Sequence, residues 1–203
     1  MSAHKAMYPV MEHFYTLQGE GAWTGTPAYF VRLGGCDVGC VWCDVKESWP
    51  TDTHPLLSAQ EIARAAAATP AKLVVVTGGE PAMHDLSPLT HTILAAGFRT
   101  HIETAGVYPL TGQWNWVCFS PKKFKPPHDS LYSVADELKV VVYHPSDLDW
   151  AETHAARCRP DIALFLQPEW SKHSTVAPLI VEYVKKNPRW RMCLQTHKFI
   201  GIP

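Results

Sequence analysis

Apolar positions along this chain fall into two rhythms. Residues 10–17 and 28–33 are rich in aromatic and β-branched side chains and read as strands. Turn-prone Gly19-Glu20-Gly21 and Gly25-Thr26-Pro27 join them. Ser58-Ala59-Gln60-Glu61 matches a capping box that opens an alanine-rich helix to about residue 68. Residues 72–77, K-L-V-V-V-T, form a short apolar strand with both faces buried. Ser87-Pro88 reads as N-cap and first helical residue, with Gly97 as the stop.

The alternation continues. Residues 99–103, 116–119 and 138–143 are strand-like, and Ser146 caps a helix to about residue 157. A strand over 162–166, a helix over about 176–186 and a last extended stretch over 189–194 complete the series. Strands that alternate with helix-length crossovers imply a parallel sheet. No linker, repeat or low-complexity stretch divides the chain, so residues 1–203 are expected to form one domain.

Polar or glycine-rich signatures follow the strands at their C-terminal ends. They are Thr77-Gly78-Gly79-Glu80-Pro81, Glu103-Thr104, Ser120-Pro121-Lys122, Gln167-Pro168 and Gln195-Thr196-His197-Lys198. Barrels and doubly wound sheets both gather ligands at that rim, so the pattern places a site without choosing between them.

Composition narrows the classes. With 203 residues and 46% hydrophobic content, the chain can bury a sizeable core. A net charge of −1 gives no field to recruit nucleic acid or a membrane surface. There is no charged-then-apolar leader and no apolar run of membrane-spanning length, so a cytoplasmic protein is expected. Lys122, Lys123 and Lys125 form the one tight basic cluster, which reads as a solvated loop. Of six cysteines, three crowd one loop; Cys118, Cys158 and Cys193 lie in apolar segments and read as small core residues.

The crowded three are Cys36-x3-Cys40-x2-Cys43. Soft thiolates favour iron–sulfur, copper(I) or zinc. Three ligands suit a [4Fe–4S] cluster with one iron left open. The alternative is zinc with His54 or Asp44 as fourth ligand, but structural zinc often takes two C-x2-C pairs and no second pair exists here. In Thr77-Gly78-Gly79-Glu80-Pro81, glycine allows close backbone approach to a ligand, although a tight strand-to-helix turn would use the same residues.

The cysteine loop resembles that of the radical S-adenosylmethionine (SAM) superfamily, and Gly78-Gly79-Glu80 resembles its GGE motif, which contacts the SAM amino group. Trp42 stands where that superfamily places an aromatic against adenine, or it simply packs within the loop. The likeness narrows further. Residues 14–21, Ile102-Glu103-Thr104, Ser120-Pro121-Lys122, Glu137-Leu138-Lys139 and residues 195–203 are, in that order, similar to the 7-carboxy-7-deazaguanine synthase family.

That resemblance implies an incomplete (β/α)6 TIM-like barrel, a homodimer, a [4Fe–4S] cluster, SAM, and a reducing electron donor of the flavodoxin or ferredoxin type. It implies a radical SAM lyase acting on 6-carboxy-5,6,7,8-tetrahydropterin. Hydrogen is lost from C6, the ring contracts and ammonia leaves, giving 7-carboxy-7-deazaguanine for queuosine or another 7-deazapurine. Position by position, Cys36, Cys40 and Cys43 would hold the cluster, and Gly79, Glu103, Ser120, Lys122 and Gln167 would line the SAM pocket. Gln18, Glu20, Arg32, Thr77 and His197, with the carboxylate of Pro203, would contact substrate. An Arg fork suits a carboxylate, and a glutamate can accept from amino-pyrimidine N–H groups. Without the resemblance, Arg32 reads equally as a surface ion pair and His197 as a satisfied histidine at the barrel end.

Two departures stand out. Relatives commonly follow Cys-Asp with Thr or Ser, whose hydroxyl helps bind magnesium (Mg2+); here Val45 has no ligand atom, and Lys46 is expected to supply the positive charge instead. Ala105 stands where an asparagine often follows Glu-Thr. Two competing readings are a glycyl-radical activase, which shares the cysteine loop, and a non-catalytic zinc or cluster module.

Overall fold

The computed structural model describes residues 6–203. Its strands are β1 (Met7–Leu17), β2 (Pro27–Leu33), β3 (Leu56–Ser58), β4 (Leu73–Gly78), β5 (Arg99–Thr104), β6 (Trp116–Phe119), β7 (Glu137–Val142), β8 (Ala163–Pro168) and β9 (Trp190–Met192). They form one sheet in the order β3-β1-β2-β4-β5-β6-β7-β8-β9. β1 runs antiparallel to both β2 and β3, whereas every neighbouring pair from β2 to β9 is parallel. The sheet starts at β3 and stops at β9 without closing, which is an incomplete TIM-like barrel.

Helices α1 (Ala59–Ala67), α2 (Ser87–Ala95), α4 (Asp147–Ala155) and α5 (His173–Lys186) supply the crossovers. Two short helices, α3 (Leu131–Val134) and α6 (Thr196–Ile200), complete the set. The Ser58 capping box forms as its sequence dictates, with the Glu61 N–H donating to Ser58 Oγ and the Ser58 N–H donating back to Glu61. At α2 the cap differs from expectation. Ser87 lies inside the helix, and the Asp85 carboxylate accepts its N–H at 3.0 Å. Ser146 does flank α4, but its hydroxyl bonds His144 while Asp147 accepts the N–H groups of Tyr143 and His144.

The two-residue period of the strands divides their side chains between two environments. Ile102, Val117, Phe119, Leu138, Val140, Leu164 and Leu166 join Ile62, Ile93 and Ile180 of the helices in the main core. Burying each Leu or Ile stabilises the fold by about 1.5–3 kcal/mol. Alternate positions, among them His101, Cys118, Glu137, Lys139 and Gln167, are buried away from that core on the inner face, with Glu103 half-buried beside them. β4 is apolar on both sides, as its sequence predicts, because Leu73 and Val75 pack with Ala28 in a second small cluster against Trp23 and Phe30. The barrel interior is therefore apolar near β4 and polar from β5 onward.

Candidate functional site

The C-terminal rim of this sheet surrounds a cavity of about 500 Å3, a size that accommodates a cofactor and a small molecule. Its lining includes Cys36, Cys40, Cys43 and Trp42 of the cysteine loop, and Thr77, Gly78 and Gly79 at the end of β4. Glu103, Ser120, Lys122, Lys139 and Gln167 come from β5 to β8 and the turns after them. Gln18, Glu20 and Arg32 enter from the β1–β2 region, and Gln195, His197 and Pro203 from the C-terminal segment.

All three loop cysteines are free thiols. Burial pushes the Cys36 thiol up and raises that of Cys40 to about 11, so a metal must displace protons to take them as thiolates. The turn is tied to its surroundings through the backbone: Cys36 N–H donates to Trp49 O at 3.0 Å, and Glu80 N–H to Gly35 O at 2.7 Å. Gly79 permits this approach, because a Cβ there would fall 2.2 Å from Gly35 O and 2.8 Å from Cys36 Cβ. The zinc alternative loses its fourth ligand. Asp44 is bound by Lys198 Nζ at 2.5 Å, and His54 is not on the cavity lining. Among the described residues no three His, Cys, Asp or Glu side chains gather around a single ion position. The donor set fits a cluster, in which each thiolate takes its own iron.

Two residues expected in the site are elsewhere. Glu80 is 1% exposed and absent from the cavity wall. Its carboxylate accepts from Thr104 Oγ1 at 2.5 Å, Ala105 N at 2.8 Å and Ala82 N at 3.0 Å. Glu80 thus fixes the turn after β5 instead of presenting an acceptor to a ligand; Gly78 and Gly79 provide the surface. Lys46 is exposed, its ammonium 5.8 Å from the Trp49 ring centroid, and only its neighbour Val45 faces the cavity. The basic cluster also divides. Lys123 and Lys125 pair with Asp147 and Asp37 at the surface, whereas Lys122 turns into the cavity and donates to Ser120 Oγ at 2.6 Å. Burial lowers the Lys122 ammonium below its ordinary value.

The remaining polar lining forms a closed ring of hydrogen bonds. Glu20 N–H donates to Gln18 Oε1 at 3.1 Å, and Gln18 Nε2 to Glu103 Oε1 at 3.1 Å. Lys139 Nζ then donates to Glu103 Oε2 at 2.8 Å and to Glu20 Oε2 at 2.5 Å. Burial opposes the charged form of both Glu103 and Lys139, yet each is held ionised by its partner: Glu103 far below the carboxylate range, Lys139 well above its usual value. Gln195 Nε2 donates to the other Glu20 oxygen at 3.0 Å, and Thr196 anchors the same segment on Gly19 O through its N–H and hydroxyl. Arg32 is indeed in an ion pair, with Glu12 Oε1 on its Nε at 2.6 Å. That contact leaves both terminal nitrogens for a ligand, so pairing and ligand binding are compatible. His197 lies close above Gly19, and burial lowers its imidazolium below the ordinary value against the pull of Glu20.

Glu12 has no part in the sequence reading; Lys139, Gln195 and Lys198 occur there only within motifs, with no task of their own, and Asp44 only as a possible zinc ligand. One signal was available for Lys139: in E-L-K-V-V-V, Glu137 and Lys139 alternate with residues that must face the core.

Comparison with known proteins places this architecture. Residues 30–114 match the model of the Radical SAM superfamily. A 7-carboxy-7-deazaguanine synthase of Flavobacterium psychrophilum is 53% identical over 97% of this chain and 93% of its own length. That of Synechocystis sp. is 48% identical over 96% of this chain and 93% of its own. The crystal structure of QueE from Escherichia coli superposes with a TM-score of 0.85 at 33% identity, covering 94% of this chain and 95% of that one. Identity of this extent, over a cavity built from these motifs, shows that the chain belongs to the 7-carboxy-7-deazaguanine synthase family of radical SAM enzymes.

Proposed function

We propose that this chain is a carbon–nitrogen lyase that converts 6-carboxy-5,6,7,8-tetrahydropterin to 7-carboxy-7-deazaguanine with loss of ammonia, for queuosine or another 7-deazapurine. The observation that carries this reading is one cavity lined by three cysteines, a glycine turn and a ring of oriented carboxylates. Membership of the radical SAM superfamily implies a [4Fe–4S] cluster and SAM. Bound together and reduced, these supply a 5′-deoxyadenosyl radical able to take a hydrogen from C6.

The chain's own residues have distinct tasks in this reading. Cys36, Cys40 and Cys43 hold three irons, while Gly78, Gly79, Ser120, Lys122, Gln167, Glu103 and Trp42 orient SAM. Glu20 accepts from the amino-pyrimidine edge. With Gln195 on one oxygen and Lys139 on the other, each Glu20 oxygen keeps a lone pair for a ligand N–H. Arg32, oriented by Glu12, forks onto the pterin carboxylate. Gln18, Thr77, His197 and Pro203 complete the substrate side and exclude water. A magnesium ion does not fit the residues present: Val45 offers no ligand atom and Asp44 is already bound by Lys198. Residues 1–203 act as one domain in this reading, as a homodimer, with an electron from a flavodoxin- or ferredoxin-type protein. Among the described residues no helix is long and apolar enough to cross a membrane.

The test is anaerobic reconstitution followed by incubation with reductant, SAM and the carboxy-tetrahydropterin. Four irons per chain, SAM cleavage and the deazaguanine product are expected. Cluster-loaded protein that cleaves SAM but yields no such product defeats the assignment.

A further inference from the structure

The ring around Lys139 points to a residue whose task reaches beyond the ligand contacts described above. Lys139 is 4% exposed, and its single ammonium serves two carboxylates, at 2.5 Å on Glu20 and 2.8 Å on Glu103. A buried ammonium has lost its hydration and needs carboxylate partners to stay charged on the cavity wall. The partners belong to different subsites in the reading above: Glu20 to the substrate, Glu103 to SAM. Without the ammonium, two half-buried carboxylates would face each other, joined only through Gln18. Repulsion between them would turn one out of line, and an oriented acceptor would be lost.

We infer that Lys139 is a positioning residue common to both subsites: its ammonium holds the Glu20 and Glu103 carboxylates aimed at their ligands, so that removing it weakens substrate and SAM together. This inference rests on the assignment of the pterin as substrate. Lys139 has three N–H donors and uses two within the ring. Its effect runs through the acceptors it holds, so binding should suffer before the chemical step.

The experiment uses anaerobic, cluster-loaded, unreduced protein, with dissociation constants for the carboxy-tetrahydropterin and for SAM measured by calorimetry, and with KM and kcat measured separately after reduction. Lys139→Met is expected to weaken pterin binding by about tenfold or more, the scale of a lost charge-assisted hydrogen bond. SAM binding should weaken in the same direction, while kcat at saturation stays within about threefold. Glu103→Gln with Lys139→Met removes one charge of each sign and provides a folded variant if the single change does not. Its pterin affinity should remain low, because Glu20 still lacks its ammonium. Melting curves identify the folded variants. Wild-type protein that binds the pterin, alongside a folded variant that binds it within twofold as well, or a folded Lys139→Met protein that binds SAM within twofold of wild type, overturns the inference alone. Wild-type protein that does not bind the pterin overturns the functional reading and the inference with it.

Discussion

Two stretches of the cavity wall differ in what holds them. The cysteine loop is pinned near its ends, by backbone bonds at Gly35 and Cys36 and by Lys198 on Asp44. Between them Val41 is 70% exposed, and the loop's own bond there is the short turn from Cys43 N–H to Cys40 O. The carboxylate ring is pinned at its functional atoms, with both oxygens of Glu20 and both of Glu103 engaged. The difference follows from chemistry. Thiolates take their final geometry from the metal they ligate, whereas hard acceptors for N–H and O–H donors must be oriented beforehand by the protein.

Breaking the first stretch should have the largest effect. Cys40→Ser is expected to abolish product formation and lower bound iron, while pterin affinity stays within about threefold of wild type; iron assay, visible absorption and calorimetry separate these readouts. Gly79→Ala attacks the same stretch from behind, because its Cβ would fall 2.2 Å from Gly35 O. Iron loading should drop by at least about twofold and stability by about 1–3 kcal/mol. Gly21→Ala acts on the ring. Gly21 has φ +64°, and its Cβ would fall 2.0 Å from Glu137 Oε1. Here pterin affinity should fall by about tenfold with iron content unchanged, given strain of a few kcal/mol beside Glu20. If Gly79→Ala and Gly21→Ala each impair both readouts equally, the two stretches are not separable.

Two smaller effects bound the comparison. His154, behind β7, is packed against Trp150 and bonded to Tyr132, and burial lowers its imidazole to about 4. Between the ordinary value of 6.5 and about 4, the unfolded chain takes up a proton that the folded chain refuses. Stability is therefore full above that window and declines as pH falls through it, by roughly 3 kcal/mol. His154→Gln should flatten the melting temperature against pH over this range and leave both stretches of wall intact. Lys46→Ala should be the mildest change, within about twofold of wild type in turnover at any magnesium concentration, since Lys46 is exposed and meets only the Trp49 ring.

Much of this fold was legible because its longer elements carry clear patterns: the core face of β5, β7 and β8 alternates, the unbroken apolar run of β4 is buried on both faces, and the Ser58 box caps α1 as spelled. β3, α3 and α6 have three, four and five residues, too few for any period to register. Of the residues expected in the site, all but Glu80 and Lys46 lie on the cavity lining. Those two differ for a local reason, since motif position does not say which way a side chain turns. The partners that were not foreseen, Lys139, Gln195, Glu12 and Lys198, act through contacts between residues far apart in sequence. The alternation in β7 tells which face Lys139 takes, but no local pattern tells which residues it meets there.

The ring has a consequence for how the protein is made. Its bonds close loops of 85, 119 and 175 residues, from Gln18 to Glu103, Glu20 to Lys139 and Glu20 to Gln195. Contacts across such separations form only after the intervening chain has lost its freedom. A growing polypeptide can assemble β1, β2 and β4 early, yet Glu20 stays unclaimed until β7 and then the C-terminal segment arrive. Pulse-labelled hydrogen exchange should find Glu20 N–H protected after the amides of those first strands. The pocket becomes competent only when both ends of the chain have met.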